Sequence, residues 1–374
     1  MKSLNHILRL GVKELRSLWA DKVLVIFLLV AFSILVYSAA KGVSRELHNA
    51  PIAVVDQDRS PLSERIIGAF YGPYFKTPEM IAPGAVDAGL DEGRYTFVLD
   101  IPPNFQRDVL AGHRPALQVN IDATRMTQAF IGSTYIQNIV TGEINEFMHH
   151  RRAEPELPIK LVTHVKYNPN LSGLWLGGVM ELIEQITMLS IILTGAALIR
   201  EREHGTIEHL LVMPLTPFEI MTAKVWANGL VILIATALSV RWIIQDLLQV
   251  PIAGSVALFL LGTALYLFST TSMGIFLGTL ARSMPQLGLL VILVILPLVM
   301  LSGAVTPRES MPQMIQTAML ALPTTHFVSL THAIIYRGAG FDVVWPQFVI
   351  LVGIGVVFFA AALLWFRKAI ALTG

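Results

Sequence analysis

Long uncharged stretches alternate with short polar ones along most of the chain, and one extended polar region, 41–172, interrupts them. Residues 1–22 place Leu4, Ile7, Leu8, Leu15, Leu18 and Trp19 on one helical stripe, with Lys2, Arg9, Lys13 and Arg16 largely opposite. That pattern predicts an amphipathic helix lying on an anionic membrane surface. Residues 23–40 then run uncharged up to Ala40, close to the ~20 residues a helix needs to cross ~30 Å of hydrocarbon. Ser38, Ala39 and Ala40 would suit a signal-peptide cleavage site. The basic segment before them is long, however, and the apolar run exceeds an h-region of ~7–15 residues, so a signal-anchor helix is expected. Five more apolar spans lie at 174–199, 226–241, 253–280, 287–304 and 346–366. Trp19, Trp175, Trp226, Trp242, Trp345 and Trp365 all fall at the ends of these spans, as an aromatic belt requires.

Between the first two spans the pattern changes to that of a soluble domain. PIAVVDQD reads as a strand and turn, and SPLSERIIGAF as a helix opened by Ser60 with Pro61 in its first turn. YTFVLDIP is a second strand, NFQRDVLAG a short helix closed by Gly112, and PALQVNIDA a third strand. MTQAFIGSTYIQNIVTGEINEFM is a long helix, and the proline-bearing HHRRAEPELP a surface loop. The expected fold is therefore a polytopic α-helical membrane protein with six transmembrane helices and an N-terminal amphipathic helix. An α/β (α+β) extracytoplasmic domain at 41–172 separates helices 1 and 2.

Composition agrees: 54% of the 374 residues are hydrophobic and 14% charged, where a soluble protein carries about 25% charged residues. The net charge of +1 gives no footprint for nucleic acid. The absence of cysteine excludes disulfides, thiolate metal sites and a cysteine nucleophile. Basic residues set the orientation. Lys2, Arg9, Lys13, Arg16, Lys22, Arg200, Arg202, Lys224, Arg282, Arg367 and Lys368 fall on one side of the membrane, against Arg241, Arg308 and Arg337 in the short loops opposite. Both termini are thus expected in the cytoplasm, with 41–172 periplasmic, in a bacterial inner membrane.

No GxxxxGK[ST], HExxH or GxSxG occurs, so no enzyme signature is present and no metal site is expected. His204 and His209, five apart in a polar loop, make a poor zinc pair. The polar stretch 200–224 is more informative. Charges fill its first turn, Ile207, Leu210 and Leu211 share a face, and Pro214 and Pro217 interrupt the helix beyond Leu211. Spacing alone suits a docking element for a soluble partner or an ordinary interfacial loop.

This stretch resembles the hallmark of the ABC-2 family of exporter permeases. The family's G-T-(I/L)-E-x-L-L-x-x-P-(L/V)-(T/S)-x-x-E pattern, with the Glu-rich stretch before it, is matched by Glu201, Glu203, Gly205, Thr206, Glu208, Leu210, Leu211, Pro214, Thr216 and Glu219. Residues 301–338 resemble the family's segment after the fifth span, with Pro307, Met311, Pro312, Gln316 and Pro323 in place. The resemblance implies that 200–224 forms a coupling helix seated on a cytoplasmic ABC ATPase subunit. It further implies that ATP and magnesium bind that subunit and not this chain, and that the permease pairs with a second copy or a paralogue. The size of the outer domain is like that of permeases working with a periplasmic membrane-fusion protein and an outer-membrane channel.

Two features carry physics of their own. Prolines and glycines break the apolar run 302–340, and irregular backbone at membrane depth needs protein or a water-filled cavity around it. A re-entrant helix pair on the outward side is expected, acting as an outward gate at Pro307, Pro312 and Pro323 or as a structural plug. Glu181 and Glu184 lie one turn apart inside the second span. They line a substrate path, or they bond a neighbouring helix near the interface. Three functions fit the layout: an ATP-driven exporter of an amphiphile, a signalling subunit without transport, and a proton-driven transporter. The last should show inverted repeats and more buried ionisable groups, and the sequence shows neither.

Overall fold

The computed structural model describes residues 2–42, 47, 49–122, 126–149, 167, 172–203, 215–303 and 310–371. They form two units, one comprising Met1–Gly42 and Leu174–Gly374, the other Val43–Gly173. The first unit opens with α1 (Lys2–Ala20), then α2 (Lys22–Gly42), a candidate span. Asp21 separates the two helices and caps α2 by accepting from the Leu24 amide at 3.1 Å.

The second unit is an α/β fold on a four-stranded sheet, β1 (Ile52–Asp56), β2 (Glu79–Met80), β3 (Phe97–Ile101) and β4 (Gln118–Ile121). The spatial order is β2-β1-β3-β4, with β1 parallel to β2 and β3, and β4 antiparallel to β3. Its described residues also form four α-helices, α3 (Pro61–Gly68), α4 (Val86–Asp91), α5 (Phe105–Leu110) and α6 (Met126–His149). Central strands buried on both faces read as continuous apolar runs, which is why IAVVD shows no alternation. Ile52 and Val54 pack with Leu62, Ile66, Phe97 and Ile136 on one face, and Ala53 and Val55 with Tyr95 and Val98 on the other. The Ser60 cap expected for α3 is present as a capping box with Ser63. Ser63 Oγ, fully buried, also donates to Asp56 Oδ2 at 2.8 Å, tying the helix to the end of β1.

The first unit continues with α7 (Gly173–Glu203), α8 (Pro217–Leu238), α9 (Val256–Leu280), α10 (Met284–Met300), α11 (Gln313–Met319), α12 (Pro323–Thr331) and α13 (Phe341–Ala371). A π-helical segment, Ser239–Leu247, prolongs α8, and another, His332–Tyr336, prolongs α12. Among the described residues, five helices are long and apolar enough to cross a membrane, and the count reaches six if α11 and α12, bent by 88°, are taken as one broken span. The run expected at 287–304 is α10, which has 17 residues and so reaches only about 25 Å. The third span starts nearer the chain's beginning than the sequence indicates. Its helix begins at Pro217 rather than at Trp226, because the intervening charges are neutralised inside the fold.

α7 is enclosed by the other helices, with 78% of its span buried, whereas α2 and α13 stand at the margin with 28% and 22%. Between membrane helices, close packing and interhelical hydrogen bonds take the place of the hydrophobic effect. A Cβ on Gly274 of α9 would stand 2.5 Å from the Ile191 carbonyl oxygen of α7, so only glycine permits that approach. Thr187 Oγ1 and the Tyr266 hydroxyl meet at 2.6 Å, and Ser190 Oγ donates to Thr270 Oγ1 at 2.7 Å. Ser269 Oγ donates to the Leu351 carbonyl at 2.6 Å, while Thr271 and Ser272 bond back onto their own helix.

Candidate functional site

The described ends of the sequence motif, 200–203 and 215–219, fall at the junction of α7, α8 and α1. Gly205, Thr206, Glu208, Leu210, Leu211 and Pro214 lie outside the described residues, as does Pro307; Glu201, Glu203, Thr216 and Glu219 are described. Each of the three described motif glutamates has a partner within the chain.

Glu219 is the third residue of α8 and reaches back to its cap. Its Oε2 accepts from the Thr216 amide at 2.8 Å, and its own amide donates to Thr216 Oγ1 at 3.3 Å. Thr-x-x-Glu before an apolar run is the sequence mark of this reciprocal box, and Pro217 occupies the first turn, where its missing N–H costs nothing. The other carboxylate oxygen lies 3.4 Å from His6 Nδ1 of α1. Glu203 accepts at 3.0 Å from the Met284 amide, an otherwise unmet donor in the first turn of α10. Beside it the Arg202 guanidinium donates to the Ala281 carbonyl at 2.7 Å.

Glu201 belongs to a buried ionic cluster that sequence reasoning missed. Lys224 of α8, 1% exposed, extends its Nζ to 2.8 Å from Glu201 Oε2, 3.0 Å from Glu14 Oε1 and 3.3 Å from the Ala197 carbonyl oxygen. Lys13 approaches Glu201 Oε1 at 3.4 Å. A buried charge persists only when paired and hydrogen-bonded, and two lysines against two carboxylates satisfy that. Lys224 is therefore an internal group rather than one of the loop cations marking a membrane side.

These contacts revise the reading of α1. Its inward face carries Ile7, Gly11, Glu14 and Leu18 against α8, while Leu4, Leu8, Val12 and Trp19 form a second, exposed apolar stripe. Trp226, expected at a span end, lies within α8 and lays its indole over Gly11. Its Nε1 donates to the Ile7 carbonyl at 3.3 Å, and a Cβ on Gly11 would stand 2.0 Å from its ring.

Glu181 and Glu184 are both half-buried on α7. Gln185, 4% exposed, donates its amide to Glu181 Oε1 at 2.5 Å. Neither glutamate forms an ion pair with a described residue. Pro312 precedes α11 and Pro323 opens α12. Phe327 of α12 stacks on Tyr266 with centroids 4.0 Å apart and planes 3° from parallel. His326 Nε2 lies 2.8 Å from the Leu320 carbonyl oxygen across the bend, and the Tyr336 hydroxyl donates to the Trp175 carbonyl of α7 at 2.9 Å.

A helical bundle with an inserted α/β unit and a motif-bearing junction at the foot of its central helix is the plan of a membrane permease. The family model described as ABC-2 family transporter protein matches residues 22–364, and the chain belongs to that family. It is similar to the inner membrane transport permease YhhJ of Escherichia coli (strain K12), at 60% identity over 370 residues and 99% of each chain. It is also similar to the probable multidrug ABC transporter permease YbhR of the same organism, at 29% identity over 361 residues, covering 96% of this chain and 97% of that protein. Similarity extends to ABC transporter G family member 20 of Dictyostelium discoideum, at 24% identity over 94% of this chain and 49% of that protein. The chain is an inner-membrane transport permease of the ABC-2 type.

Proposed function

We propose that the chain is the transmembrane subunit of an ATP-driven exporter, moving a drug-like, lipidic or other amphiphilic molecule outward across the inner membrane. It works as a pair with a second copy or a paralogue, and ATP with magnesium binds a separate ATPase subunit. Both termini are cytoplasmic and 41–172 periplasmic, where a membrane-fusion protein and an outer-membrane channel receive the cargo. The multidrug designation of the relative YbhR supports an amphiphilic substrate, and the excess of basic residues in the short loops of one side supports the orientation.

The observation that carries this reading is the anchoring of both ends of 204–214. Glu201, Arg202 and Glu203 fasten the end of α7 to α8, α1 and the α9–α10 connection, and Thr216 and Glu219 cap the start of α8. A segment held at both ends by helices of the bundle passes a push from a docked ATPase to those helices, where a loosely tethered loop would absorb it. In this division of labour Gly205, Thr206, Glu208, Leu211 and Pro214 meet the ATPase, and Glu201, Glu203 and Glu219 position them. Glu181 and Glu184 contact the moving substrate. The bent pair α11–α12, with Pro307, Pro312 and Pro323, closes the path on the outward side.

Co-purification in detergent with the co-expressed ATPase tests the reading, comparing wild type with Glu208→Ala/Leu211→Ala. Retention by the wild type and loss by the double variant is the expected result. Equal retention by both, or none by either, removes the assignment of 204–214 as the coupling segment.

A further inference from the structure

A groove of about 630 Å³ runs between α1, α2 and α8 in the membrane unit. Leu18, Leu28, Phe32, Leu230 and Ile234 give it an apolar lining, and Trp242 lines it farther along α8's π-helical extension. Among the described residues, Arg16 is the one ionisable residue on its wall, and it is exposed. From Leu230 to Trp242 the α8 wall extends about 18 Å, comparable with one leaflet, or half of the ~30 Å hydrocarbon core.

We propose that this groove holds one acyl chain of an anionic phospholipid, with the lipid phosphate against the Arg16 guanidinium. Three observations select that occupant. The lining offers an alkyl chain apolar contact along its length, and its described residues include no carboxylate to repel a phosphate. Lys13 of α1 and Arg200 of α7 are engaged by Glu201 and Asp21, whereas Arg16 forms no ion pair with a described residue, so its charge is available to a ligand. The exposed stripe of Leu4, Leu8, Val12 and Trp19 gives α1 the character of a helix lying in the interface. That depth puts Arg16 level with headgroups and the groove below it level with acyl chains. A bound lipid would wedge between α1 and the spans it rests on and fix the attitude of the helix that carries Glu14. The proposal is independent of what is transported and in which direction.

The test uses the full chain in detergent, offered phosphatidylglycerol or phosphatidylcholine, with retained lipid counted by native mass spectrometry. One basic residue near a phosphate favours the anionic lipid about five-fold, and the wild type is expected to show that preference. Arg16→Gln should bring the ratio to about one, and Ile234→Trp, which fills the groove, should remove retention of both lipids. Both positions are exposed, so neither change threatens folding. A preference that survives Arg16→Gln, or retention that survives Ile234→Trp, overturns the proposal. The chain has no cysteine, so Ile234→Cys gives a clean further reading: a disulfide between two copies would mean that a second chain fills the groove, and would overturn it too.

Discussion

Lys224 Nζ and Glu201 Oε2 lie 2.8 Å apart with the lysine closed off from solvent, joining the start of α8 to the end of α7. Glu14 of α1 shares the same ammonium at 3.0 Å, so three helices meet on one charge. Lys224→Met leaves two carboxylates without their buried cation, a loss of about 3–5 kcal/mol for pairs of this kind. A lower midpoint of thermal unfolding in detergent is expected, partly restored when Glu14→Gln and Glu201→Gln are added. An unchanged midpoint would show that the cluster contributes nothing to stability.

Gly11 and Trp226 form a contact with no room for a methyl group. Gly11→Ala should cost about 1–3 kcal/mol through overpacking and loosen α1 from α8. Trp226→Leu in the same chain should recover most of that loss. Limited proteolysis at the connection between α1 and α2, compared between wild type and the two variants, reads the effect directly.

Tyr266 separates two contributions within the bundle. Tyr266→Phe removes the hydroxyl contact with Thr187, and interhelical hydrogen bonds in membranes are worth only about 0.6 kcal/mol on average. Phe327→Ala vacates the stack on Tyr266 and should cost about 3–5 kcal/mol as a cavity. Unfolding of the two variants in a common detergent series gives the order; the reverse order would contradict packing as the main source of cohesion here.

Ser63→Ala tests the α/β unit. The hydroxyl donates to Asp56 and accepts from the Ser60 amide at 2.9 Å, and losing a buried bond to a charged partner costs about 1.5–3 kcal/mol. Hydrogen exchange should show faster opening of α3, with α7 to α9 unaffected.

Much of the layout is legible in the residues because its signals are local. Uncharged runs of sufficient length mark α2, α9 and α13, α7 is marked by an apolar run that carries only Glu181 and Glu184, and Ser60 before Pro61 marks the start of α3. The Arg241–Asp246 pair, readable as neighbouring charges, is formed at 2.9 Å. Where reading failed, a long-range partner decides. Glu219 and Lys224 look like loop charges and delay the third span to Trp226, yet one is consumed by a cap and the other by Glu14 and Glu201. The cap has a local mark in the residues, Thr-x-x-Glu, whereas the lysine's partners have none. Glu14 gave no signal within a helix whose stripe looked uniformly lipid-facing, since a partner hundreds of residues away leaves no mark on periodicity. Strand β2 is two exposed residues without alternation and exists through its pairing with β1.

The Lys224–Glu14 bond spans 210 positions of the chain, and that distance has a meaning for biogenesis. When α1 leaves the ribosome its glutamate faces water, and the ammonium that completes it arrives only after α2, the whole inserted α/β unit and α7 have been synthesised. Synthesis at ~5–20 residues per second makes that an interval of about 10–40 s. During it, α1 has only the membrane surface to hold it. A bundle closed by its first helix cannot be finished in the order in which it is made, so the lipid surface acts as its provisional partner until the third long span arrives.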